Sequence, residues 1–194
     1  GITHAVLVQP SAYGTDNRVL LSGLAAGNGR WRGVAVVAPT VRDDELVRLR
    51  MAGVVGLRIN MQQSGSIFGG DLPSLAVLAA RANAADLALH LQCFERDLPH
   101  VLPHLRAARR IFLDHLGFPD PRLPDRDLVR RLGDDARIWM KLSGAFRVSA
   151  EKAPFRDLDA HVANILTAFG PDRCVWGSDW PFINMMHRPA YAEA

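Results

Sequence analysis

The chain has 194 residues, 48% hydrophobic and 22% charged, a balance that suits a globular fold and excludes a disordered or low-complexity chain. Its net charge of +3 comes from dispersed arginines, with no Lys/Arg block among aromatics, so nucleic acid is not expected as a partner. Two cysteines, Cys93 and Cys174, give no disulfide framework, and no apolar run reaches membrane-spanning length; no membrane partner and a cytoplasmic location are expected.

Seven short apolar runs read as strands: Ala5–Gln9, Gly33–Ala38, Val54–Ile59, Leu87–Leu91, Arg110–Leu113, Ile138–Leu142 and Arg173–Trp176. They are continuous rather than alternating, as expected for parallel strands buried on both faces. Helical patterns lie between them. Thr40 and Asp43 are expected to cap a helix presenting Leu46 and Leu49. Asp71 is expected to cap one with Leu72, Leu75 and Leu78 at i, i+3 spacing. Asp125 opens a third with Leu128, Val129 and Leu132, closed by Gly133 in the left-handed conformation. Phe155–Phe169 places Leu158, Val162, Ile165, Leu166 and Phe169 on one face, and Gly170-Pro171 stops it. After Phe94, Pro99 and Pro103 interrupt any long helix.

Strict β-α alternation predicts an α/β fold with a parallel sheet, a (β/α)8 TIM barrel that is incomplete. Seven strands are visible where eight are needed, and such barrels typically take about 250 residues. The chain starts at Gly1. It is therefore expected to be a fragment, a single partial domain over 1–194 that lacks the first barrel strand and most of the last helix. A doubly wound sheet is the rival, disfavoured because no Gly-rich phosphate turn follows the first visible strand.

Polar residues at the carboxyl ends of barrel strands are where such folds build sites. Asp179, in Trp176-Gly177-Ser178-Asp179-Trp180-Pro181, leaves a buried strand as a candidate general base or metal ligand. His115, in Asp114-His115-Leu116-Gly117, is a candidate to polarise a carbonyl, hold water or bind a metal. His90 and Gln92 share one face of their strand and reach a pocket if that face is interior. Arg58 lies inside an apolar strand and needs an anionic partner, structural or substrate. Arg147, in the Ser143–Pro154 loop, is exposed by default, and with Arg58 would form a clamp for an acidic substrate. Asp114 stays outside the core site, and Lys141 is a further cation at a strand end. His4, His100, His104, His161 and His187 show no ligand spacing and are read as surface or packing residues. Asn60–Gly70 and Ser143–Pro154 are the two long, glycine-bearing loops.

The ordered motifs Val8-Gln9-Pro10-Ser11, Gly56-Leu57-Arg58-Ile59-Asn60, Asp114-His115-Leu116-Gly117, Lys141-Leu142-Ser143-Gly144 and Trp176–Pro181 resemble the amidohydrolase-related TIM-barrel family. The likeness is to its branch of 2-pyrone-4,6-dicarboxylate lactonases and sugar-lactone hydrolases. The resemblance implies hydrolysis of a small carboxylated or sugar-derived lactone. Asp179 would activate water and later protonate the leaving oxygen. His115 would help to polarise the carbonyl, and Arg58 and Arg147, with His90 and Gln92, would hold the substrate. It implies either no cofactor or one divalent ion, zinc or manganese, on Asp179 and His115. The His-x-His pair of the family's first strand is absent here, so the fragment alone is expected to be inactive or nearly so. A metal-dependent decarboxylase of the same superfamily and a non-catalytic binder of acidic small molecules remain the alternatives. Oligomeric state is not legible in the sequence.

Overall fold

The computed structural model describes residues 2–62, 71–119, 128–183 and 185. Seven strands form one sheet whose order follows the chain: β1 (Ala5–Val8), β2 (Trp31–Ala35), β3 (Val54–Asn60), β4 (Ala88–Gln92), β5 (Ile111–Leu113), β6 (Ile138–Ser143) and β7 (Cys174–Gly177). The sequence-based runs match all seven within a few residues. The printed pairings are parallel: Leu7 opposite Gly33, Val34 opposite Gly56, and Lys141 opposite Val175. A doubly wound sheet would reverse its order at a switch point; this order never reverses. β1 and β7 end the order, and Val6, Val8 and Trp176 on them are exposed. The expectation of burial on both faces fails there: along β1 the exposed side chains alternate, so one face of that strand is uncovered.

The helices are α1 (Arg18–Ala26), α2 (Asp43–Met51), α3 (Leu72–Ala84), α4 (Leu98–Val101), α5 (Leu128–Gly133), α6 (Ala145–Val148) and α7 (Asp159–Phe169). Sequence reading missed α1. It carries Gly23 in its middle, has no acid in its first turn, and its N-cap Asn17 makes no capping bond. Asn17 instead brackets the chain after β2, donating to the Val36 carbonyl at 2.8 Å and accepting from the Val36 N–H at 3.1 Å. Neither Thr40 nor Asp43 caps α2. Arg42 holds the cap position without a side-chain bond, and Asp43, Asp44 and Glu45 fill the first turn, where the helix dipole favours acids. Asp71 does cap α3, accepting from the Ser74 N–H at 3.2 Å. Asp125, His187 and residues 63–70 lie outside the described residues. After Phe94 the chain makes only short helical pieces around Pro99 and Pro103, as expected.

The chain divides into two compact units, Gly1–Leu91 with Pro99–Ile111, and Gln92–Leu98 with Phe112–Ala194. In the first, Val34, Leu57, Ile59, Leu75, Leu78, Leu89 and Leu105 are buried completely or almost so. Each such aliphatic side chain contributes about 1.5–3 kcal/mol on removal from water. In the second, Ile165 and Phe169 turn α7 inward, whereas Leu166, expected on that face, is 43% exposed. The helix proper starts at Asp159, after a single 3-10 turn at Arg156–Leu158.

Gly133 is not a left-handed cap but the last residue of α5. It is glycine because α7 passes too close: a Cβ there would stand 2.6 Å from the Ala168 carbonyl oxygen. Arg173 locks this junction. Its guanidinium donates to the carbonyls of Phe169, Asp135, Ile138, Gly133 and Ala168 at 2.8–3.3 Å, tying the ends of α5 and α7 to the start of β6. A lysine has one nitrogen and cannot span five carbonyls. Arg173→Lys is expected to lower unfolding stability by about 3 kcal/mol, the scale of lost hydrogen bonds from a charged donor. Urea titration checks it, and a midpoint unchanged from wild type would discard the clamp.

Candidate active site

β5 delivers the chain at Asp114 into a tight turn. His115, Leu116, Gly117 and Phe118 follow one another with φ of 52°, 58°, 76° and 48°. For the three that are not glycine this backbone costs on the order of 1 kcal/mol each, so its surroundings must hold it. Gly117 N–H donates to the Asp114 carbonyl at 3.1 Å, Phe118 N–H to that of His115 at 2.9 Å, and Glu95 N–H to that of Phe118 at 3.2 Å. The Phe118 ring stands edge-on to His115, with centroids 5.2 Å apart, and edge-on to Phe94, over which Arg96 lies.

The His115 ring is fixed from β6. Its Nδ1 lies 3.1 Å from Ser143 Oγ, and the next residue, Gly144, has φ 63°. A Cβ on Gly144 would stand 2.5 Å from His115 Nδ1. Ser143 thus supplies the bond and Gly144 the room. The other ring nitrogen, Nε2, is 3.8 Å from Asp179 Oδ1, too long for a hydrogen bond but close enough for both to address one bound group.

Asp179 sits just past β7 with φ 56°, in a turn closed by the Phe182 N–H on its own carbonyl at 3.0 Å. Arg147 in α6 grips this turn twice. Its Nε donates to Asp179 Oδ2, and its Nη2 donates to the Ile183 carbonyl at 3.1 Å. Phe146 packs edge-on against Phe182 beside it. On β6, Lys141 Nζ lies 2.5 Å from Asp114 Oδ1, with both side chains largely buried. Burial pushes the His115 pKa below its ordinary value. The Asp114 and Asp179 carboxylates pull it up, while Arg147 and Lys141 push it down. His115 is therefore held neutral.

Asp179, His115 and Arg147 thus come together in the second unit. In the first, Arg58 on β3 donates from Nη1 to Ser11 Oγ at 2.8 Å, and Asn60 Nδ2 donates to the same oxygen at 3.1 Å. His90 is buried in β4 with its ring over Gly56, where a Cβ would stand 2.8 Å from Nε2. Gln92 ends β4, half-buried, and belongs to the second unit. The sequence reading gave no role to Ser11, Asn60 or Ser143, although all three stand in the strand-end motifs it singled out. Their hydroxyl and amide bonds depend on ring and guanidinium orientations that spacing does not encode.

Among the described residues no group of three or more His, Cys, Asp or Glu is placed to hold a metal ion. Asp179 and His115 supply two donors, and Asp179 already carries Arg147. A divalent ion of the zinc or manganese kind needs more ligands than this. These residues by themselves do not fit one, and no step below is routed through a metal.

The family profile described as Amidohydrolase matches residues 1–194. The chain belongs to this family. Among curated amidohydrolase relatives, a D-galactarolactone isomerase from Agrobacterium fabrum is 29% identical over 100% of this chain and 66% of its own length. A 2-pyrone-4,6-dicarboxylate hydrolase from Comamonas testosteroni is 29% identical over 97% of this chain and 66% of its own. A crystal structure from Pseudomonas putida, described as a candidate 2-pyrone-4,6-dicarboxylic acid hydrolase, superposes with a TM-score of 0.81 at 32% identity. It matches 94% of this chain and 68% of that one. The chain spans 66% of the length of both curated relatives. Its seven parallel strands are those of an incomplete TIM barrel of the amidohydrolase kind.

Two outcomes follow for the full-length amidohydrolase. Gly144→Ala drives the His115 ring from its place and is expected to lower turnover about 100-fold, the scale of a 1 Å misplacement, with the fold kept. Steady-state rates with circular dichroism check it; wild-type turnover would contradict the packing argument. The second concerns acid. Because the His115 pKa is lowered on folding, the unfolded chain takes up its proton near pH 6.5 while the folded chain resists. This contribution to stability is fully present above pH 6.5 and is lost as pH falls toward the lowered folded value. Urea unfolding at pH 7.5, 6.5 and 5.5 should show a steeper loss in wild type than in His115→Asn; parallel losses would sink the idea.

Proposed function

We propose that the full-length protein is a lactone hydrolase in which Asp179 activates water. The observation that carries this is the placement of Asp179 Oδ1 3.8 Å from His115 Nε2, with Arg147 on the opposite carboxylate oxygen. Arg147 fixes the carboxylate and leaves Oδ1 facing the imidazole. A neutral His115 with a carboxylate on its Nε2 side keeps its proton on Nε2, and Ser143 Oγ then donates to Nδ1.

In this reading Asp179 takes a proton from water, and the water oxygen attacks the lactone carbonyl carbon. His115 Nε2–H donates to the carbonyl oxygen as negative charge gathers there. The tetrahedral intermediate collapses by breaking the ring C–O bond. Asp179 returns the proton to the departing alkoxide, giving a hydroxy acid. The relatives' names support a small lactone substrate, since both act on lactones.

The isomerase among them favours a second reading, lactone isomerisation, in which the acyl group passes to another hydroxyl of the same sugar acid rather than to water. A lactone panel with a pH indicator separates the two, because hydrolysis releases acid and isomerisation does not. Expected for the full-length enzyme is acid release that falls at least 1000-fold in Asp179→Asn, in keeping with loss of the activating base. Lactone conversion without acid would establish the isomerase. Carbon dioxide release from an acid substrate would establish a decarboxylase, and no turnover by wild type would overturn the catalytic reading.

A further inference from the structure

His161 lies in the first turn of α7, and its Nε2 is 2.9 Å from the carbonyl oxygen of Leu116. A carbonyl can only accept, so Nε2 carries the proton and donates. Leu116 is buried, 3% exposed, and is the second of the four consecutive left-handed residues that begin at His115. The carbonyl that His161 holds is therefore one peptide beyond the residue whose ring must face Asp179. α7 is a firm base for such a bond, since Ile165 and Phe169 are buried and Arg173 ties down its far end through the Ala168 and Phe169 carbonyls. Rotation of the Leu116–Gly117 peptide would release the turn toward an ordinary right-handed path and carry the His115 ring off Ser143.

We propose that His161 is a positioning residue, which holds the strained turn after β5 so that His115 meets Asp179 and Ser143. It touches no reacting group. The proposal rests on the reading of His115 as the group that polarises the lactone carbonyl.

The test compares His161→Gln with His161→Met in the full-length enzyme. The two side chains are nearly equal in size, and only glutamine offers an N–H where Nε2 stood. Glutamine is expected to keep kcat within about threefold of wild type, and methionine to lower it about 10- to 100-fold, the range that displacement of a reacting group produces. KM should stay within about twofold in both, because substrate contacts are untouched. Ring 15N signals of His115 should match wild type in the glutamine variant and shift or double in the methionine variant. Equal kcat in the two variants, or unmoved His115 signals in the methionine variant, overturns the proposal. If the methionine variant does not fold, the glutamine variant decides: wild-type His115 signals support the proposal and displaced ones overturn it. Should wild type turn over no lactone, the proposed function fails while the nitrogen signals still decide the role of His161.

Discussion

Charge balance around one buried imidazole governs the second unit. Asp114 follows β5 and is buried; Asp179 follows β7 and is partly buried, its side chain 19% exposed. Each is met by a cation from the chain segment between them, Lys141 on β6 and Arg147 in α6. An unpaired carboxylate there would be expensive, because solvation lost on burial returns only through a close partner. With two anions and two cations around it, His115 feels opposing fields that offset one another. Burial then decides its state, and burial favours the neutral ring. A neutral imidazole has one donor and one acceptor, which is the form that can hold Ser143 on one side and offer an N–H on the other.

The backbone around this imidazole is held as firmly as its charge: the chain leaves β5 through four left-handed residues in a row. Such a segment persists only when several partners oppose its relaxation. Here they come from elements far apart in sequence: Glu95 before α4, Ser143 at the end of β6, and His161 on α7. The clamp of Arg173 belongs to this chain of support, since it fixes the helix from which His161 reaches. Stability and site geometry are thus joined through α7.

The strands were legible because burial leaves a direct imprint: seven apolar runs, each ending in polar residues, mark both the sheet and the edge where Asp179 and His115 emerge. The helix after β1 was not: Gly23 sits in its middle, and its start is held both by Asp16, which accepts from the Arg18 N–H, and by Asn17 bonding to the distant Val36. Gly133 shows the opposite failure. A glycine after an apolar helix suggests a left-handed stop, but here it answers to the crossing of α7, which no local pattern records. Asp179 and His115 could be singled out by where their strands end, whereas Ser143 and His161 act through ring orientation and a long-range carbonyl.

Arg147 shows how far sequence reasoning carries on substrate choice. From its loop it reads as an exposed arm for an acidic substrate; in the fold its Nε and Nη2 hold Asp179 and the Ile183 carbonyl. A guanidinium grips a carboxylate best with two parallel N–H groups. With Nε and one Nη2 hydrogen engaged, a bidentate grip on the Nε edge would require Arg147 to leave the base it orients. A substrate carboxylate that took that edge would free Asp179 and lose its alignment in the same step. A hydroxyl or a single carboxylate oxygen can instead bond to the Nη1 side while the Asp179 contact stays intact. The Asp179 contact thus occupies one edge of the guanidinium, and the second edge, Nη1 with the remaining Nη2 hydrogen, has the same parallel pair of N–H groups.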